Sequence, residues 1–175
     1  LGRRKVLVRD REHPDLEPRV LRFLVPAEDP FDVELRREVE ATQSVTHPGI
    51  ARIYSVDVLD DGRGYYLQDY VEGVDLYRWA LGKPTQALLE IFGQLLRILA
   101  AYHAQGLVPG GRRPFLLKVQ EPDGRPTLRL VDQGGLQHEY SRSPVTAVRG
   151  IAPERSAGLR VDRRANLYEA GLILY

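Results

Sequence analysis

The chain has 175 residues, 43% of them hydrophobic and 28% charged, with 25 basic against 24 acidic side chains and a formal net charge of +1. That size and balance fit an ordinary globular domain, or two small lobes sharing a core, and leave no bulk field to draw the chain to nucleic acid or membrane. Cysteine is absent, which excludes disulfides, thiolate catalysis and cysteine-based metal sites. No apolar run in the sequence approaches the ~20 residues that span a bilayer.

KVLVR (5–9) and RVLRFLV (19–25) are short and rich in β-branched residues, and they predict two strands separated by the turn-like REHPDLEP. FDVELRREVEATQSV predicts a helix, with Asp32 as N-cap and Leu35, Val39 and Thr42 at i, i+4 and i+7. His47-Pro48-Gly49 stops it. IARIYSVDVL and GYYLQDYV flank Asp60-Asp61-Gly62, a hairpin signal. After Glu72-Gly73 the pattern turns helical. Leu88, Ile91, Phe92, Leu95, Leu99 and Tyr102 share one face of a helix from about Thr85 to Gln105, closed by Gly106. FLLKV and TLRLV predict strands around Pro122-Asp123-Gly124, and a last helix is expected near Asp162. A mostly β first part with one helix thus precedes a mostly α second part with one hairpin. The chain begins at Leu1 without a methionine and stops inside AGLILY, so it is expected to be a portion of a longer protein.

Six strings in this order resemble the protein kinase family. LRREVEATQSVTHPGIARIYSV is similar to the αC helix and following strand, GYYLQDYVEGVDL to the hinge, and AYHAQGLV to the approach to the catalytic loop. LRLVDQGG resembles the metal-binding DFG segment, IAPE the APE motif, and DRRANLYEAGLILY the αF helix. The resemblance implies an α+β, bilobal kinase-like fold. Its small β-rich N-lobe with one helix would cover residues 1–70. A mainly helical C-lobe would cover 71–175, truncated after αF.

Kinase chemistry is almost entirely positioning and electrostatics, so the resemblance can be followed residue by residue. In LGRRKVLV, where a glycine-rich loop would cover the phosphates, Gly2 is the only glycine. Arg22 falls at the phosphate-holding lysine and Glu38 at its αC partner. The two can still pair, although a planar guanidinium is not a conservative exchange for an ammonium. Two exposed charges on a strand and a helix are the plainer reading. Asp69 and Val71 lie along the hinge beside the nucleotide cleft.

LVPGGRRPFLLKV, anchored on Pro114, places Pro109, Gly110 and Gly111 at His, Arg and Asp of the catalytic-loop pattern. Glycine cannot take the proton that the aspartate takes, a contribution worth ~10²–10⁴ in rate. Arg113 falls at the catalytic lysine and Leu116 at the metal-binding asparagine. Leucine offers magnesium no oxygen. Lys118 falls where an apolar residue packs under adenine. Asp132 retains the metal-binding carboxylate, though aspartate before a Gly-rich turn is also common for backbone reasons. Gln133 replaces the packing phenylalanine. Asn166 falls at the αF aspartate that braces the catalytic-loop backbone, and its partner in that loop has changed too.

Other constellations carry less. His13, His47, His103 and His138 share no metal-ligand spacing, and no serine has a G-x-S-x-G setting. The arginine pairs are most simply solvated faces, with Arg112-Arg113 a candidate phosphate or partner contact. Trp79 reads as core. The expectation is a bacterial, cytoplasmic pseudokinase domain without catalytic residues, acting on a protein partner or on adjoining domains, with no nucleic acid or membrane contact. No cofactor is expected. ATP and Mg²⁺ would enter only if the vestigial cleft of Arg22, Glu38, Asp69, Val71 and Asp132 still works. The alternatives are a residual phosphotransferase and a purely structural domain.

Overall fold

β1 (Lys5–Val8) and β2 (Arg19–Phe23) pair antiparallel, with Lys5 opposite Arg22 and Val8 opposite Arg19. The computed structural model describes residues 5–13, 15–23, 39–109, 116–132 and 151–175. Gly2, Asp32, Leu35, Glu38, Gly110, Gly111, Arg112, Arg113, Gln133 and His138 therefore lie outside the described residues. The chain divides into two units. One comprises Leu1–Thr46 with Ala51–Val71, the other His47–Ile50 with Glu72–Tyr175.

In the first unit, β3 (Ile53–Val58) and β4 (Gly64–Asp69) form the hairpin expected around Asp60-Asp61-Gly62. Gly62 takes φ 83, the left-handed region that glycine enters without penalty. The four strands make one antiparallel sheet in the order β1-β2-β4-β3. Arg22 stands opposite Tyr66 across the β2–β4 ladder, and directly opposed residues share a face. On that face Tyr66 packs with Ile53 and with Val39 of α1, which is helical over residues 39–43. The αC-like helix is thus present where it is described, with its apolar side on the sheet.

In the second unit, β5 (Val74–Asp75), β6 (Leu116–Gln120) and β7 (Thr127–Asp132) form a sheet in that order. The β6–β7 hairpin turns through Pro122–Gly124, as the Pro-Asp-Gly signal predicts. Asp75 caps α2 (Leu76–Ala80) by accepting from Tyr77 N at 3.0 Å. α3 (Thr85–Ala104) buries Ile91, Leu95, Ile98, Leu99 and Tyr102, and packs on β7 and on α5 (Arg163–Leu174). Between them comes the short α4 (Pro153–Ser156). Leu88 and Phe92, expected on the buried face, are only half-buried. They line an apolar groove of about 300 Å³ with Leu76, Leu172 and Tyr175. By length and composition alone α3 would suffice to cross a membrane, which corrects the expectation that no apolar stretch reaches that length. Its buried residues, Ile91, Leu95, Ile98, Leu99 and Tyr102, belong to the core of this unit.

Two local devices position the site. α3 ends in the glycine cap that its sequence predicts: Gly106 takes φ 73, and Leu107 N donates to Tyr102 O at 3.1 Å. The second is the His47-Pro48-Gly49 turn, which covers the free edge of β7. Leu130 N donates to Gly49 O at 2.7 Å, and Leu128 N donates to Gln94 Oε1 at 2.8 Å. A Cβ on Gly49 would stand 2.7 Å from Ile98 Cδ1, so only glycine lets the turn approach α3 this closely. Burial pushes the His47 imidazole below its ordinary pKa, with help from Arg97, and its Nδ1 accepts from Gly49 N at 3.0 Å.

Candidate functional site

The helix cap after Ala104 sends the chain directly into the stretch expected to be the catalytic loop. Leu107 and Val108 are half-buried and Pro109 is buried. The Pro109 carbonyl accepts from Asn166 Nδ2 at 2.7 Å and from Arg155 Nη2 at 3.2 Å. Asn166 comes from α5 and is fully buried. Its Nδ2 also lies 3.3 Å from Glu169 Oε2, and its Oδ1 lies 3.0 Å from His103 Nε2. A carbonyl and a carboxylate are both acceptors, so the amide can face them only with its nitrogen. His103 Nε2 is then the donor to Oδ1. Although the resemblance implies that Asn166 and its loop partner have both changed, Asn166 does brace the loop, through a backbone carbonyl. Such a brace needs no side chain at Pro109, because the acceptor is the main-chain carbonyl.

The same centre holds a charge pair. Glu169 Oε1 accepts from Arg155 Nε at 3.0 Å and from Ala152 N at 3.2 Å. The two side chains are 11% and 8% exposed. Buried charges of this kind persist only when paired and hydrogen-bonded, as these are. No motif or spacing in the sequence marks His103, Arg155 or Glu169 for this role. The trace they left was faint: Glu169 shares the buried face of α5 with Ala165, Asn166 and Ala170, an odd place for an acid.

Leu116 and Asp132 meet in the hairpin. A bulge between Leu116 and Leu117 brings Leu116 opposite Asp132, past Val131. Leu116 is half-buried and offers no ligand atom beside the backbone that carries the retained carboxylate. Lys118, also half-buried, stands opposite Asp75 on one side and Arg129 on the other. Among the described residues no group of three or more His, Cys, Asp or Glu side chains could hold a metal. Magnesium would need a second oxygen ligand at the Leu116 position, so the residues described there do not fit the ion.

The remaining expected residues belong to the first unit. Arg22 is 5% exposed, which overturns the plainer reading of it as a surface charge. Asp69 closes β4, where its Oδ2 accepts from Arg52 N at 2.9 Å and its Oδ1 from Tyr54 Oη at 2.8 Å. Burial, and then the Asp69 carboxylate, push the Tyr54 phenol above its ordinary pKa, while Arg19 stacks 4.0 Å from its ring centroid. Both Asp69 oxygens thus act within the sheet. Val71 is core. Trp79, in the second unit, is also buried as expected, and its Nε1 donates to Glu121 Oε1 at 2.6 Å.

A β-rich unit whose αC-like helix packs on an antiparallel sheet, followed by a mainly helical unit with a braced loop and a β6–β7 hairpin, defines a protein kinase-like fold. The chain is similar in sequence and fold to bacterial serine/threonine protein kinases. It is 26% identical over 183 aligned residues to serine/threonine-protein kinase PknB of Mycobacterium leprae, covering 97% of this chain and 29% of that protein. It is 29% identical over 148 residues to serine/threonine-protein kinase Pkn1 of Myxococcus xanthus, covering 79% of this chain and 21% of that protein. Among solved structures, a single-substitution mutant of the Mycobacterium tuberculosis PknI kinase domain matches with a TM-score of 0.71 at 26% identity. That match covers 97% of this chain and 66% of the other. No family model matches. The chain spans less than a third of the length of these curated relatives.

Proposed function

We propose that the chain is a pseudokinase domain, a kinase fold that regulates adjoining domains or engages a protein partner without transferring phosphate. The observation that carries this reading is the pairing of Leu116 with Asp132, which sets an apolar side chain beside the retained metal-binding position. Gly111 at the general-base position and Lys118 at the adenine floor point the same way. The greater length of the relatives supports a role as one module of a longer protein. The expected result is no melting-temperature shift with ATP and Mg²⁺, and no labelled phosphate in any protein above a heat-inactivated control.

A second reading, a residual ATP-dependent phosphotransferase, draws on one observation. Arg22 is buried on the sheet face that receives α1, where a phosphate-holding cation would belong. A reproducible thermal upshift with ATP and Mg²⁺, lost in Asp132→Ala, would replace the first reading with this one. A purely structural domain would share the null nucleotide result. It separates from the regulatory reading when the domain is deleted from the longer protein: only a regulator changes the activity of its neighbours.

A further inference from the structure

We propose that Arg155 and Glu169 form a second anchor for the chain at Pro109, ordering residues 107–109 and 152–156 as one element on α5. The Asn166 brace stands where the family resemblance places it; the resemblance assigns no such role to Arg155 or Glu169. The inference does not depend on whether nucleotide binds.

The anchor is built from shared partners. The Arg155 guanidinium works in two directions, with Nε on Glu169 Oε1 and Nη2 on the Pro109 carbonyl. The Glu169 carboxylate does the same, taking the Ala152 amide on Oε1 and the Asn166 amide on Oε2. Three points far apart in sequence (the Pro109 carbonyl, the Ala152 amide and the Asn166 side chain) therefore meet at one ion pair. Removing either charge leaves the other buried beside Ala152 and Ala165, both of which are fully buried. The cost then falls on every member of the network rather than on one contact. The second arm of the guanidinium is essential. A lysine ammonium could satisfy Glu169, but one point charge cannot also span to Pro109. Displacement of residues 152–156 is thereby transmitted to the loop at Pro109.

Hydrogen–deuterium exchange on the whole chain tests this with Arg155→Met, Arg155→Lys and Glu169→Gln. Arg155→Met and Glu169→Gln are expected to accelerate exchange by ~10-fold or more in peptides over 105–112 and 151–158 together. Arg155→Lys is expected to restore protection at 151–158 while 105–112 remains fast. Exchange in α3 and the β6–β7 hairpin should stay at the wild-type rate, which separates local release from global unfolding. Acceleration confined to 151–158 in Arg155→Met overturns the proposal, as does equal loop exchange in the wild-type chain and the Lys variant. Should Arg155→Met fail to fold, Arg155→Lys decides alone: wild-type protection at 105–112 would sink the second anchor.

Discussion

Leu116 and Asp132 stand opposite one another at the end of the β6–β7 hairpin, with a bulge taking up Val131 between them. On the proposed pseudokinase reading, the hairpin keeps its backbone arrangement while Leu116 sets an apolar residue opposite Asp132. That combination is physically reasonable, because strand pairing and the bulge depend on main-chain hydrogen bonds and on buried Leu117 and Leu130, none of which requires a ligand at 116.

Restoring the ligand alone should not restore chemistry. Leu116→Asn supplies an oxygen beside Asp132, but Gly111 still has no carboxylate to accept a proton, a deficit of ~10²–10⁴ in rate. Labelled phosphate incorporation by Leu116→Asn is expected to stay at background. Incorporation above background in this single variant would show that the loop retains a base elsewhere.

Asn166 should be among the least replaceable residues of the second unit. Asn166→Leu deprives the Pro109 carbonyl of its nearer donor and leaves His103 and Glu169 short of a partner in a buried place. A loss of ~2–4 kcal/mol follows from stranding buried polar groups. Asn166→Asp is expected to cost a comparable amount despite its similar shape, since a carboxylate would face the Pro109 carbonyl and the Glu169 carboxylate with acceptors only. Urea denaturation of the two variants checks this; a near-neutral Asn166→Asp would mean that the amide does not point as described.

Much of the frame was legible from the residues. The Asp-Gly and Pro-Asp-Gly turns, the Gly106 cap and the Asp162 cap each announce a local geometry that one or two residues determine. The kinase resemblance was legible because its strings occur in order. The polar centre was harder to see, because His103, Pro109, Ala152, Arg155, Asn166 and Glu169 come from four separate stretches. No periodicity links residues that meet only in three dimensions. Burial of Arg22 was hidden for a similar reason: in RVLRF the alternation alone does not say which face receives the helix, and α1 does so on the side of Tyr66.

The His47-Pro48-Gly49 turn gives a packing prediction. In Gly49→Ala the new methyl would meet Ile98 Cδ1 and Cγ1 at 2.7 and 2.8 Å, and Ile98 is itself fully buried. Overpacking of this kind costs ~1–3 kcal/mol. Ile98→Val in the same chain removes the offending Cδ1 and should recover part of the loss, a coupling read from a double-mutant cycle. Strict additivity of the two substitutions would contradict the contact.

Glu121 provides an acid-sensitive reporter. Hydrogen bonds from Lys83, and then from Trp79, hold its carboxyl below the ordinary glutamate value of 4.5. A carboxylate whose folded pKa is depressed contributes stability that is present above its unfolded pKa and fades as pH falls through the folded one. The contribution should therefore weaken on acidification below 4.5 and be complete at neutral pH. Trp79 is the only tryptophan in the chain, and its Nε1 donates to this same carboxylate. Its emission is expected to shift as Glu121 protonates, over a range below pH 4.5 and before global unfolding. Glu121→Gln should abolish that early transition while leaving the neutral-pH fold intact. An unchanged acid transition in Glu121→Gln would assign the signal to another carboxylate.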